Sequence, residues 1–110
     1  MKMETVKPTS YRELEINVIR WAEARRIIPN ARPQAQLNKA LEELAELFKA
    51  ELQGNADGIK DGVGDVMVCL INYCALKDLD LVQCLSVAYH EIKDRTGTLL
   101  PDGTFVKDPT

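Results

Sequence analysis

The chain has little of what most reaction chemistries recruit: among its 110 residues are one histidine, one tryptophan and three cysteines. A lone His90 without a partner motif rules out a Cys/His zinc cluster and a Ser/His/Asp set, and it reads as a helix-surface residue. Cys69, Cys74 and Cys84 are odd in number and lie in apolar helical stretches with no CxxC spacing, so reduced core residues are expected rather than a disulfide framework. No segment approaches the ~20 consecutive apolar residues that span a bilayer. The opening MKMETVKPTS lacks the apolar stretch of a secretory signal. A cytoplasmic protein without a membrane partner is the expectation. Repeats and low-complexity tracts are also missing.

What is present is charge, unevenly placed. Residues 1–39 carry 8 Lys+Arg against 4 Glu, and residues 40–110 carry 6 against 13 acids, within a net charge of −3. An acidic half repels nucleic acid, while a basic flank beside it suits a small polyphosphate. Two solvated surfaces of opposite sign would give the same count. At 45% hydrophobic residues, the composition fits one globular domain, and a chain this short gains from association with further copies.

Hydrophobic periodicity predicts four helices, at about 10–28, 34–53, 57–77 and 80–95, followed by an arm over 97–110. Ser10 with Glu13, and Asp80 with Gln83, have the capping-box pattern that opens a helix. Pro29, Asn30 and Pro33 separate the first helix from the second. The second carries Leu37, Leu41, Leu44, Phe48 and Leu52 on one stripe and has Gly54 as its stop. Asp57 is the expected cap of the third. That helix is apolar nearly all round through Val66–Leu70, Ile71, Cys74 and Leu76, a pattern that calls for burial on most sides. Two short β-prone runs flank Pro101-Asp102-Gly103, so the arm is a hairpin or an extended tail. The fold class is all-α, a four-helix bundle with a short C-terminal arm.

The chemistry sits in the two middle helices. Glu43 and Glu46 are three apart and adjacent on one face, which alone describes any solvated helix surface. Asp61 and Asp65, four apart, share a side with Asn72 in a helix that otherwise reads as buried. No Lys or Arg occurs between Lys60 and Lys77 to neutralise them locally. Counted from the turn near Asn55, Glu46 lies 9 residues back and Asp61 to Asp65 lie 6 to 10 forward. At ~1.5 Å per residue the two acid pairs reach matching heights. Facing carboxylates repel unless hard cations stand between them, and oxygen-only ligands select magnesium, with manganese as the alternative. Such ions complete their shells with substrate phosphates and acidify water, which is phosphate hydrolysis.

At this point the residues resemble a known family. Gln36-x-x-Lys39-x-x-Glu42-Glu43-x-x-Glu46, followed by Gly62-Val63-Gly64-Asp65-Val66, is similar to the MazG-like all-alpha nucleoside triphosphate pyrophosphohydrolases, small phage-type members above all. Trp21-x-x-x-Arg25 upstream, and Lys93-x-Arg95-x-Gly97 with Gly103-x-Phe105-Val106-Lys107 downstream, extend the likeness over roughly residues 16–107. The resemblance implies hydrolysis of a nucleoside triphosphate to its monophosphate and pyrophosphate in a homodimer or homotetramer. It implies Glu43, Glu46 and Asp65 as the metal-binding and catalytic acids. The family's usual pattern has a glutamate where this chain has Gly62, and Asp61, one position earlier, is the expected substitute ligand.

Lys39, Lys93 and Arg95 are candidate phosphate holders, or surface ion-pair partners. Trp21 is a stacking platform for a base, or a core residue, and Arg25 goes with it. Asn72 hydrogen-bonds ribose or metal-held water, or is satisfied by a neighbouring helix. Glycines 58, 62 and 64 mark close helix packing or a backbone approach to phosphate. Two rivals to a general triphosphatase stand at this point: a non-catalytic oligomerisation or regulatory module that lost its ligand at Gly62, and a dUTP-type pyrophosphatase.

Overall fold

The structure, a computed structural model, describes residues 9–109. They form α1 (Tyr11–Ala24), α2 (Ile27–Asn30), α3 (Pro33–Gln53), α4 (Ala56–Leu76), α5 (Leu81–Ile92), β1 (Gly97–Leu99) and β2 (Phe105–Lys107). The all-α expectation holds, with one tiny sheet. No helix among the described residues is long and apolar enough to cross a membrane. The chain divides into two compact units, one reaching Leu79 and one beginning at Asp80, each described by itself.

In the first unit, α1 opens as its sequence dictates: Ser10 Oγ accepts from the Glu13 amide at 3.2 Å, satisfying a donor that the first turn leaves orphaned. The helix stops at Ala24 rather than near Ile28, because Arg26 takes the left-handed region (φ 63°) and Ile28 and Pro29 leave helical angles within the short α2. Pro33 then starts α3 in the position where a missing amide hydrogen costs nothing. Gly54 ends α3 at φ 63°, its amide donating to the carbonyls of Ala50 and Glu51, a conformation that glycine adopts without Cβ strain.

The cap of α4 is Asn55, whose side chain accepts from the Gly58 amide at 3.0 Å. Asp57 was the expected cap but lies inside the first turn, where a negative charge still complements the helix dipole.

Helices α3 and α4 form a tight antiparallel hairpin, against which α1 and α2 also pack. The helices come close at Gly62, where an added Cβ would stand 3.0 Å from Leu47 Cβ and 3.2 Å from Leu47 Cα. Close helix packing therefore accounts for this glycine. Gly64 faces open space.

The hairpin buries Glu43 and Ala50 of α3 against α4, which in turn buries Gly62, Cys69, Ile71, Asn72 and Cys74. The leucine stripe of α3 faces away, with Leu41 67%, Phe48 65% and Leu52 73% exposed. Gly62 of α4 meets Leu47 of α3, so the contact uses a stripe of α3 other than the Leu37–Leu52 row. On α1 the buried residues are Ala22 and Glu15. Glu15 accepts from Tyr11 Oη at 2.9 Å and pairs with Arg12. Burial and this carboxylate push the Tyr11 hydroxyl up to about 12.

In the second unit, Asp80 caps α5 by accepting from the Val82 amide at 2.9 Å. The helix ends at Ile92, three residues short of the predicted Arg95. The arm is a hairpin, with Gly97 opposite Lys107, Thr98 opposite Val106 and Leu99 opposite Phe105. Its turn has Gly103 at φ 91°, and Asp102 Oδ1 accepts from the Thr104 amide at 2.9 Å, holding that carboxyl below its ordinary range. Cys84 is exposed, contrary to the core reading, whereas Cys69 and Cys74 are buried; none of the three is in a disulfide.

The two glycines in α4 should respond oppositely to alanine. Gly64→Ala should raise stability by about 0.5–1 kcal/mol through helix propensity. Gly62→Ala should lower it by about 1–3 kcal/mol, because the backbone of α3 has to move. Denaturant unfolding of both variants checks this; equal effects would remove the close-contact explanation.

Candidate active site

The contact at Gly62 sets the register that the residue count anticipated: Glu43 and Glu46 on α3 stand across from Asp61 and Asp65 on α4. All four line one cavity of about 260 Å³, together with Lys49, Asn55 and Gly62. Glu43 is buried, Asp65 half-buried, and Glu46 and Asp61 are exposed. The Asp65 carboxyl is pushed above the ordinary aspartate range, first by burial and then by the charges of Asp61 and Glu43. The charges of Asp61 and Glu43 are thus close enough to Asp65 to oppose its ionisation.

The donor set is all oxygen, which fits a hard divalent cation. Among the described residues, however, no three His, Cys, Asp or Glu side chains form a ready-made ion shell. The acids therefore converge on one cavity without, among the described residues, forming a closed ligand shell. In that arrangement Lys39 neutralises the buried member, its Nζ 3.2 Å from Glu43 and 3.6 Å from Glu42, and both carboxylates raise its pKa.

Glu43 and Asp65 also line a second cavity of about 330 Å³, whose walls are Trp21, Ile27, Gln36, Lys39, Val68, Cys69 and Asn72. One end is charged and the rest is apolar or amide-lined. Burial, followed by the charge of Glu43, pushes the Cys69 thiol up, so it stays protonated and unreactive. Trp21 is 46% exposed rather than core, with the Arg25 guanidinium 4.4 Å from its ring centroid. Its flank also lines a third cavity of about 410 Å³ with Leu14, Asn17, Val18, Asp65 and Val68.

The first unit therefore brings together Trp21, Lys39, Glu43, Glu46, Asp61, Asp65 and Asn72, and places Arg25 on the outer side of Trp21. Lys93 and Arg95 belong to the second unit; Arg95 lines a cavity of about 580 Å³ there with Glu91, Lys107 and Asp108. His90 is a surface residue of α5, Nδ1 lying 2.8 Å from the Ser86 carbonyl. Lys49 was not foreseen, although its place three residues after Glu46 carried the signal, since i,i+3 residues share a face. Gln36 and Cys69 were likewise overlooked as cavity walls, both lying on the stripes of the expected site residues.

No protein-family model matches the chain. A MazG-like pyrophosphohydrolase of cyanophage S-2L, whose structure holds dGDP and three catalytic Mn2+ ions per active site, superimposes with a TM-score of 0.66 over 93% of this chain and 100% of its own, at 22% identity. The likeness establishes the MazG-like all-alpha fold. An uncharacterised 18.2 kDa protein of Haemophilus phage HP1, encoded in the rep-hol intergenic region, is 33% identical over 66 residues, or 60% of this chain. The chain spans 40% of that relative's length.

The pKa of Asp65 gives a test with a defined sign. A carboxyl whose folded pKa is raised contributes stability that is complete below its unfolded value and is lost as pH rises through the folded one. Asp65→Asn should therefore stabilise the protein in EDTA at pH 7, with the gain shrinking as pH falls toward 4. Unfolding at the two pH values measures it; a gain that is equal at both removes the repulsion argument.

Proposed function

We propose that the protein hydrolyses a nucleoside triphosphate to the monophosphate and pyrophosphate, with magnesium or manganese held by Glu43, Glu46, Asp61 and Asp65. The observation that carries this reading is the convergence of Glu43, Glu46, Asp61 and Asp65 on one cavity between two helices in contact at Gly62. Carboxylates converging in this way favour a bound cation. Asp61 lines the same cavity as Asp65, which supports its standing in for the family's glutamate.

When bound, the divalent ions neutralise the polyphosphate and acidify water. The chain's own residues do the rest. Glu43, the most buried of the four acids, would hold the ion at the α-phosphate end; Lys39, released from its pairing with Glu43, is free to meet phosphate oxygens, and Lys49 lines the acidic cavity. Water oxygen bonds to the α-phosphorus as the bond from that phosphorus to the αβ-bridging oxygen breaks. Pyrophosphate leaves with the bridging oxygen, and a carboxylate accepts the proton from water. Trp21 provides a stacking surface for the base.

The partner in this reading is a nucleotide rather than nucleic acid or membrane, and the protein acts in the cytoplasm as a homodimer or homotetramer. The exposed stripe of α3 supports self-association, because monomers rarely present contiguous apolar faces of this kind. Leu41→Glu with Phe48→Glu should convert an oligomer to a monomer in sedimentation analysis. A wild type already monomeric at micromolar concentration would remove this part of the proposal.

The decisive assay incubates the protein with each NTP and dNTP, with and without magnesium or manganese, and measures pyrophosphate. Turnover should require the ion, and Glu43→Gln or Asp65→Asn should reduce it by more than the roughly 10–100-fold that loss of an outer-shell partner costs a metal site. Absence of turnover with every nucleotide, together with absence of ion-dependent thermal stabilisation, would favour the non-catalytic module. Unchanged activity and ion affinity in Asp61→Asn would remove Asp61 from the ligand set.

A further inference from the structure

Two lysines stand near the four acids, and they are used differently. Lys49 lines the acidic cavity and forms no ion pair among the described residues. Lys39 is shared between two carboxylates, its Nζ lying 3.2 Å from Oε1 of Glu43 and 3.6 Å from Oε2 of Glu42. The partners differ in their surroundings. The Glu43 side chain is 11% exposed and that of Glu42 69%, and Glu42 is on the wall of neither cavity that Glu43 lines.

Helix geometry does not account for the pair with Glu43. A lysine four residues ahead of a glutamate is the less favourable order along a helix, so the withdrawal of water from Glu43 is what draws the ammonium in. Lys39 thus brings to Glu43 the positive charge that a metal ion would bring. The two cations exclude each other. A small divalent ion bonded to a carboxylate oxygen stands ~2.1 Å from it, and an ammonium 3.2 Å from the same carboxylate would face that ion at close range with the same sign of charge. Lys39 therefore has to leave Glu43 when an ion is bound. It does not have to go to water, because Glu42 is already within its reach.

We infer that Glu42 is a positioning residue that acts through Lys39: it receives the lysine when a divalent ion takes Glu43, and returns it when the ion leaves. The inference rests on the proposed function only for placing the ion at the acids. In the ion-free protein the ammonium keeps the buried glutamate paired. In the ion-bound protein Glu42 holds the same ammonium on the exposed side of α3, next to the site instead of inside it.

Manganese alone, without nucleotide, is the probe. Binding is followed by loss of the free ion's paramagnetic resonance signal at ~0.15 M salt, where distant surface charges are screened. Lys39→Met should tighten manganese about tenfold, the equivalent of one charge-assisted hydrogen bond. Glu42→Gln should weaken it about threefold, as loss of a surface ion pair does. In the Lys39→Met background Glu42→Gln should have no further effect, because the group through which Glu42 acts is gone. Two charges acting on the ion independently would give additive changes instead. Melting supplies a second readout: ion-free Lys39→Met should melt below the wild type, with Glu43 left unpaired, and saturating manganese should erase the difference. Lys39→Gln is the second variant if methionine does not fold, with the same outcomes expected. Additive effects, unchanged manganese affinity in Lys39→Met, or a melting deficit that manganese leaves in place would each overturn the inference. Absence of manganese binding by every variant would overturn it together with the ion-holding role of the acids. The expected coupling without hydrolysis of any triphosphate would sink the hydrolase reading and leave Glu42 its role. Ion-dependent hydrolysis with additive effects does the reverse.

Discussion

The site depends on one constraint: like charges kept close by a helix contact that cannot relax. At Gly62 an added Cβ would press on Leu47 at 3.0–3.2 Å, and the acids on either side of that point inherit the spacing. Burial adds to the pressure by withdrawing water from Glu43 and partly from Asp65. The resulting repulsion appears in Asp65, which holds its proton more tightly than an ordinary aspartate, and in Lys39, drawn onto Glu43. A cation that relieves this repulsion gains affinity from strain already present in the fold.

The second unit follows different rules. Its helix and hairpin are held by local devices, the Asp80 cap, the Asp102 turn and the Thr96 to Asp108 hydrogen bond at 2.8 Å. These bonds lie within short stretches of chain and do not require a large core. The apolar residues of α5, Leu85 and Ile92, remain exposed.

Much of this was legible in the sequence, where the physics is local. The Ser10 and Asp80 caps, the Gly54 stop and the limits of α3 and α4 follow from residue type and spacing, and so does the register that matches the acid pairs. What periodicity could not tell was which stripe of α3 meets α4. A heptad-like leucine row ordinarily marks the buried face, yet close approach at a glycine favours small residues, and the row faces outward. The end of α1 was missed because the backbone reversal at Arg26 carries no glycine or asparagine signal. Asn55 was passed over as a cap in favour of Asp57, two residues on, since either residue type serves.

The Gly62 contact also limits how this sequence can change. A glutamate installed at 62 brings a Cβ against Leu47 and against the α3 backbone behind it, so the hairpin must widen before the new carboxylate can reach the cavity. Trimming position 47 and loosening the neighbouring layer would have to come first, and in that state the existing acids would drift apart. Replacing the offset pair of Asp61 and Gly62 by the arrangement of the glutamate-bearing proteins is thus a concerted, epistatic exchange, and stepwise paths between the two solutions cross a valley of poorly packed intermediates.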